Sequence, residues 1–526
     1  MATPAPLGAS FWTPVLAAAL ASACGSPSAR EPESLIGTRP NVLIVLWDTV
    51  RADHLSLYGY PRPTTPNLSR FAEDAAVFEA AVSPGMWTVP SHGSLFTGLP
   101  VAAHGADTGW IWLDHRFTTV AEHFRTHGWA TWAWSTNPYL SSATNLLQGF
   151  DHVETSWSGP WAADCAAATA GKLLPDDASV EISPKWTAKG KAEGWPEHLT
   201  AYKEAGPVLH KAFAAWLDGR PADAPPFFAY LNYLEAHHPR VPSASARETV
   251  MDEATRANAL TTDLSLFATM SAMEDRHTFS AADTAALNGL YDAALVDLDQ
   301  TTGALLQDLA ARGLLDNTIV VIVSDHGEHL GEHGLYDHRW SLREPLIHVP
   351  LVVRWPGHVS PGRRSTPVST QSLFPTLVAL TGLPLPDHVR APSWFEPRDG
   401  PVFSELWRPN PRLPFIERAW PDVPPNRWRK RYQAVRNDQW KVVHSSDGGG
   451  AAFDLSLDPT ESTDVAKQNP TVTRAGLAAI QAWQRSLPRY DARSRGLDDA
   501  PTSALAADDP LREQLDLLGY TVEEKP

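Results

Sequence analysis

The chain has 526 residues, 43% of them hydrophobic and 20% charged, with 21 Trp, 17 Phe and 11 Tyr. That mix suits globular domains, roughly two to four by length, and excludes disorder as the main state, a collagen-like repeat and a multi-pass membrane protein. The net charge of -17 argues against nucleic acid as a partner, and 46 Pro with 33 Gly point to long loops around a large core.

The N-terminus reads as an address. Phe11 to Ala23 is apolar and ends at Cys24. The run is too short to span a bilayer and suits a signal peptide with small residues before its cut. A cysteine directly after Leu20-Ala21-Ser22-Ala23 resembles a bacterial lipobox, although no Lys or Arg precedes the run and Ala21 stands where Leu is usual. The expectation is an exported bacterial lipoprotein, facing the periplasm or cell surface and anchored only through a lipid on Cys24. An ordinary signal peptide is the alternative. Residues 24–39 then form a Ser/Pro/Glu-rich tether. The second of the two cysteines, Cys165, is expected to be buried and inert.

Further along, strands and helices alternate. Asn41 to Leu46 (NVLIVL) is a continuous apolar run, the pattern of a strand buried on both faces. Pro66 to Ala76 reads as a helix with Thr65 as its N-cap. Trp129 to Trp134 and Phe227 to Leu234 read as strands. Asp292 to Arg312 has Leu295, Leu298, Leu305 and Leu309 at helical spacing and stops at Gly313. Thr318 to Ser324 and Val349 to Trp355 complete the series. Such alternation implies an α/β fold with a large, mixed, mostly parallel sheet sandwiched by helices over residues 40–400. From 401 to 490 the pattern changes. Short strands near Val402, Tyr432 and Trp440, a turn at Asp447 to Gly450 and a helix from Val472 to Ser486 predict a small antiparallel sheet with one helix. Residues 491–526 form an acidic tail.

Ligands of open parallel sheets bind beyond the carboxyl ends of the strands. Here those ends carry Asp48-Thr49, Asn137-Pro138, Glu235-Ala236-His237-His238 and Ser324-Asp325-His326-Gly327. Each alone is an ordinary turn residue. Carboxylates and imidazoles converging on one rim form a metal-site pattern. Thr88, just before Pro90-Ser91, stands at a helix start, where anions are stabilised and where it could simply be an N-cap.

These residues together resemble the sulfatase family of the alkaline phosphatase superfamily. The resemblance runs from Pro40 to Leu55 through Thr65-Pro66-Asn67-Leu68, Ser324 to Glu328, Gly331-Glu332-His333-Gly334, Val349-Pro350-Leu351 and Phe453-Asp454-Leu455 with Asp458-Pro459. The family's formylglycine enzymes carry C-x-P-S-R, whereas this chain reads Thr88-Val89-Pro90-Ser91-His92. Threonine cannot become formylglycine, because its extra methyl would give a ketone. Thr49 also replaces a second carboxylate after the first strand.

What the resemblance implies is a metal-dependent hydrolase of sulfuric or phosphoric esters. Asp48, Asp325 and His326, together with Thr88, hold one divalent ion, Mn, Mg or Zn rather than Ca. Thr88 is the nucleophile. His237, His338 and His92 contact the substrate oxygens or protonate the leaving group. The substrate is an anionic ester on a glycan, lipid or small molecule. A phospho-headgroup transferase and an inactive surface lipoprotein that binds anionic glycans or lipids are the alternatives. Tryptophans between Leu413 and Trp428 either wall the substrate or pack a loop.

Overall fold

A computed structural model describes residues 39–490 apart from 109, 173–202, 398–399, 408–412 and 425. The signal segment with Cys24, nearly all of the tether and the acidic tail lie outside the described residues.

Eight strands form the main sheet. In chain order they are β1 (Asn41–Trp47), β2 (Ala76–Phe78), β3 (Ala130–Ser135), β4 (His152–Thr155), β5 (Phe227–Tyr233), β6 (Thr318–Val323), β7 (Leu351–Arg354) and β8 (Gly362–Arg364). Across the sheet the order is β8-β2-β7-β6-β1-β5-β3-β4. β6, β1, β5, β3 and β4 run parallel, and only β7 is antiparallel to its neighbours. Every residue of β1, β5 and β6 is buried, as unbroken apolar runs require when helices cover both faces. Period-two alternation splits β1 between two cores. Val42, Ile44 and Leu46 join the side containing Val89, Phe96 and Phe124, while Leu43, Val45 and Trp47 join the side containing Leu290, Leu295 and Leu298.

The sequence-based boundaries shift for physical reasons. The helix expected from Pro66 to Ala76 ends early: α1 (Pro66–Phe71) gives way to one 3-10 turn, and Ala76 opens β2. Thr65 stands at its N-cap position as expected, but its hydroxyl pairs with Ser56 and the Leu57 amide and makes no cap bond. Asp299, distant in sequence, instead accepts from the Asn67 and Leu68 amides at 2.9 and 2.8 Å. Thr88 is the first residue of α2 (Thr88–Thr97), with Trp87 in the capping position. A one-turn helix, α3 (Val101–His104), follows. The long helix, α4 (Ala281–Ala311), begins eleven residues before Asp292 at a capping box made by Ser280 and Asp283. Its opening turns bury Ala286, Leu287 and Leu290, too weak an apolar signal to stand out in sequence. The run from Val349 to Trp355 breaks at Pro350, which has no amide hydrogen for a ladder.

A second sheet holds four antiparallel strands in sequence order: β9 (Val402–Leu406), β10 (Tyr432–Arg436), β11 (Trp440–Ser445) and β12 (Gly450–Asp454). The turn expected at Asp447 to Gly450 is there, and Gly450 already starts β12. Helix α5 (Pro470–Ser486) packs on this sheet through Val472 and Ile480. Cys165 is a buried free thiol, and burial pushes its pKa up to about 12.

Two buried polar contacts tie the small sheet to the large domain. Lys441 on β11 is fully buried and meets Glu344 at 3.1 Å and Glu461 at 2.8 Å. Glu344 keeps Arg436 at 3.3 Å, but Glu461 loses its cation and stays buried, so Lys441→Met should lower unfolding free energy by about 3 kcal/mol in urea titration. Glu405 on β9 accepts from the Ala102 amide of α3 at 2.8 Å, and burial raises its pKa to about 7. Its contribution is complete below the unfolded carboxyl value, near 4.5, and is lost as pH rises through about 7. Thermal melts of Glu405→Gln should therefore match the parent at pH 4 and exceed it at pH 8.

Candidate active site

β1 and β6 are adjacent and parallel, with Leu46 opposite Val323. Their next turns place Asp48 and Asp325 side by side. Asp48, Asp325 and His326 are buried, and one donor atom from each lies within 4.8 Å of the others. In every case one atom is pinned by protein and the other is bare. Asp48 Oδ2 accepts from Asn137 Nδ2 at 2.8 Å and Asn232 Nδ2 at 3.4 Å. Asp325 Oδ1 accepts from the amides of His326 at 2.9 Å and Thr49 at 3.3 Å. His326 Nδ1 donates to the Gly327 carbonyl at 2.9 Å, which leaves the lone pair on Nε2. Asp48 Oδ1, Asp325 Oδ2 and His326 Nε2 are buried without hydrogen-bond partners. Buried polar atoms are rarely left so, and two carboxylates with an imidazole are a fitting donor set for a divalent cation. Burial raises the pKa of Asp48, burial and then Asp48 raise that of Asp325, and burial lowers that of His326. A dication among them would reverse the carboxylate shifts.

The loop after β1 is held open for this purpose. Thr49 has φ 60°, a left-handed conformation that costs a β-branched residue about 1–3 kcal/mol. The Tyr291 hydroxyl compensates by donating to the Thr49 carbonyl at 2.8 Å and accepting from the Arg51 amide at 2.9 Å. Ser324 Oγ takes the Val50 amide at 3.0 Å.

Thr88 enters from the start of α2, fully buried. Its Oγ1 accepts from Asn137 Nδ2 at 3.2 Å, the same nitrogen that donates to Asp48. Ser83 Oγ bridges Asp325 O at 2.5 Å and Ser91 Oγ at 3.2 Å, fixing α2 against β6.

The three expected histidines divide. His92 Nδ1 donates to the Thr88 carbonyl at 2.8 Å, and Nε2 accepts from the Tyr230 hydroxyl at 2.7 Å. Burial lowers its pKa to about 4 against that carbonyl bond. Both nitrogens are engaged, one of them on the Thr88 carbonyl, and the ring is neutral. His338 Nδ1 lies 3.0 Å from Glu328 Oε1 and 3.0 Å from Asp337 Oδ1, while Nε2 is bare. Burial works against its protonation, but Asp337 and Glu328 raise its pKa nonetheless. Its ring lies 4.6 Å from that of His326 and 5.3 Å from that of His237. His237 has Nδ1 on the His238 carbonyl at 2.5 Å, and burial, then Lys203, holds its pKa well below the ordinary value.

Several neighbours were not legible as site residues. Asn232 is the one amide inside the apolar run Phe227–Tyr233, a signal that was available. Lys203, fully buried, donates to the carbonyls of Leu234 and His237 at 2.7 Å each, and nothing in its local sequence marks it. Burial lowers its pKa to about 8, with Asp48 opposing. Glu328 also binds Arg240 at 2.9 Å. His104 and His333 lie apart, on Ser94 Oγ and the Thr460 carbonyl. Trp420 packs on Phe267 and Trp428 on Trp340, so the tryptophans of that segment serve as packing.

Residues 40–383 match the sulfatase family model. The chain belongs to the sulfatase family. Residues 331–477 also match the C-terminal model of N-sulphoglucosamine sulphohydrolase. Over 449 residues, 81% of this chain and 77% of the relative, the protein is 26% identical to an ulvan-active sulfatase of Formosa agariphila. Its fold is similar to that of a phosphonate monoester hydrolase from Silicibacter pomeroyi, with a TM-score of 0.64 and 21% identity over 88% of this chain and 96% of the other. The corresponding enzyme of Agrobacterium radiobacter gives 0.61 and 23% over 89% and 97%. This sulfatase-family chain is thus an ester hydrolase.

If the three bare atoms hold a cation, metal should stabilise the fold. Mn2+ added to chelator-stripped protein at one hundred times its Kd should add about 2.7 kcal/mol. Scanning fluorimetry should show the melting temperature rise, and Asp325→Asn should abolish the rise.

Proposed function

We propose that this chain hydrolyses sulfuric, phosphoric or phosphonic esters with Thr88 as nucleophile. The observation that carries the reading is the Thr88 hydroxyl, buried at the N-terminus of α2 and sharing one amide donor with Asp48. Asp48, Asp325 and His326 would hold the cation. Family membership supports a divalent ion, and the imidazole with only two carboxylates favours Mn, Mg or Zn over Ca. When bound, that ion supplies positive charge that lowers the pKa of the nearby hydroxyl and neutralises an ester oxygen.

The protein's own groups carry the steps. Thr88 Oγ1, its proton released to solvent, attacks sulfur or phosphorus in line with the leaving alcohol. The helix start favours the anion that approaches it. As the S–O or P–O bond breaks, His338 Nε2 gives its proton to the departing oxygen. Its Nδ1 is held by Glu328 and Asp337, so the ring is already aimed. His237 packs edge-to-face against it, with ring centroids 5.3 Å apart. Water then displaces Thr88 from the acid group and returns the hydroxyl. An anionic glycan ester is the substrate class supported by the relative named for ulvan, and a phosphonate monoester is the class supported by the fold neighbours. The apolar run to Cys24 supports export and lipid anchoring.

Rates with an aryl sulfate, an aryl phosphate, an aryl phosphodiester and a phosphonate monoester, each with Mn, Mg, Zn or Ca, test the reading. Turnover of at least one ester is expected, with kcat reduced about 10,000-fold in Thr88→Ala. Undiminished turnover by Thr88→Ala would overturn it.

A further inference from the structure

Asn137 follows β3 and is buried to 1% exposure. Its amide orientation is determined by its neighbours. Oδ1 accepts from the Tyr139 backbone amide at 3.0 Å, and the Asn137 backbone amide donates to Asn232 Oδ1 at 3.0 Å. A flipped side chain would set an NH2 against the Tyr139 N–H and a carbonyl oxygen against the Asp48 carboxylate. The NH2 group therefore faces the site. Its two hydrogens meet two acceptors, Asp48 Oδ2 at 2.8 Å and Thr88 Oγ1 at 3.2 Å.

This has a consequence for the nucleophile. A hydroxyl that accepts from an N–H must turn its own hydrogen elsewhere. As that oxygen loses its proton, the donor aimed at it needs no reorganisation, which is where preorganised donors contribute most. The other hydrogen fixes which Asp48 oxygen stays bare toward the cation site. We infer that Asn137 is a catalytic residue whose single amide nitrogen both stabilises the charged Thr88 oxygen and orients Asp48. The inference rests on Thr88 being the nucleophile.

The test separates the two hydrogen bonds. Mn2+ alone is titrated calorimetrically into Asn137→Ala, and kcat is then measured at saturating Mn2+ on the ester that the parent turns over. Mn2+ should bind about tenfold more weakly. At saturation KM should stay within about threefold while kcat remains down about 100-fold. Recovery of full kcat at saturating Mn2+ would overturn the inference, because Asn137 would then act only through Asp48. Added to Thr88→Ala, the same substitution should lower the residual rate no further, since its acceptor is gone. A further loss there would also overturn it. Should Asn137→Ala hold no Mn2+, Asn137→Ser, which keeps a short donor, decides by the same kcat measurement: partial recovery is expected, and full parental kcat would overturn the inference. An active Thr88→Ala would instead refute the nucleophile, whatever Asn137 does.

Discussion

Two carboxylates set side by side at the ends of adjacent parallel strands are the constraint around which the rest of this structure is arranged. Asp48 and Asp325 are both buried, and strands lie about 4.8 Å apart. Two full charges at that separation repel by about 3 kcal/mol at an effective dielectric of 20, and desolvation adds to the cost. The surroundings do not relieve this by neutralising each acid with a salt bridge. They pin one oxygen of each with neutral amides and leave the second oxygen bare. That arrangement presents two unpaired oxygens to an added cation. The strained Thr49 and the Tyr291 hydroxyl that braces it serve the same geometry, because they turn the chain directly after Asp48.

Charge near the nucleophile is distributed differently from what a C-x-P-S-R motif would supply. His92 occupies the arginine position of that motif, yet it is neutral and spends both nitrogens on Thr88 and Tyr230. The cationic groups come from elsewhere in the chain. Against the opposing effect of burial, Asp337 and Glu328 raise the pKa of His338, and Lys203 lies buried under the loop that carries His237. A local motif therefore describes this site poorly, since its positive charge arrives from segments more than a hundred residues away.

That distance also explains what could be seen in the sequence. β1, β5 and β6 announce themselves as apolar runs, because burial on both faces leaves no room for polar residues. The residues at their ends stand out against such runs, so Asp48, Asp325 and His326 were legible. α1 was misjudged because a long-range carboxylate, Asp299, caps it while the tertiary sheet recruits Ala76. The role expected of His92 comes from its position in a motif, whereas its two hydrogen bonds depend on the fold that brings Tyr230 to it. Lys203 was invisible, since a lysine in a polar segment is ordinarily solvated.

The small C-terminal sheet acquires a role from the same reasoning. His338 sits between Asp337 and Arg339, both at positive φ, on a segment that would otherwise be a strained loop. One end is held where Asp337 pairs with His329 in a two-residue ladder. The other end is Glu344, whose carboxylate meets Lys441 and Arg436 of the small sheet and whose amide donates to Glu461 at 2.8 Å. Burial opposes ionisation of Glu344, but Arg436 and Lys441 hold its pKa near 2, so the anchor stays charged well into the acid range. The ion cluster is costly to desolvate and adds little net stability. What it secures is a fixed endpoint six residues from His338, so that the imidazole is presented to the site by a segment clamped at both ends.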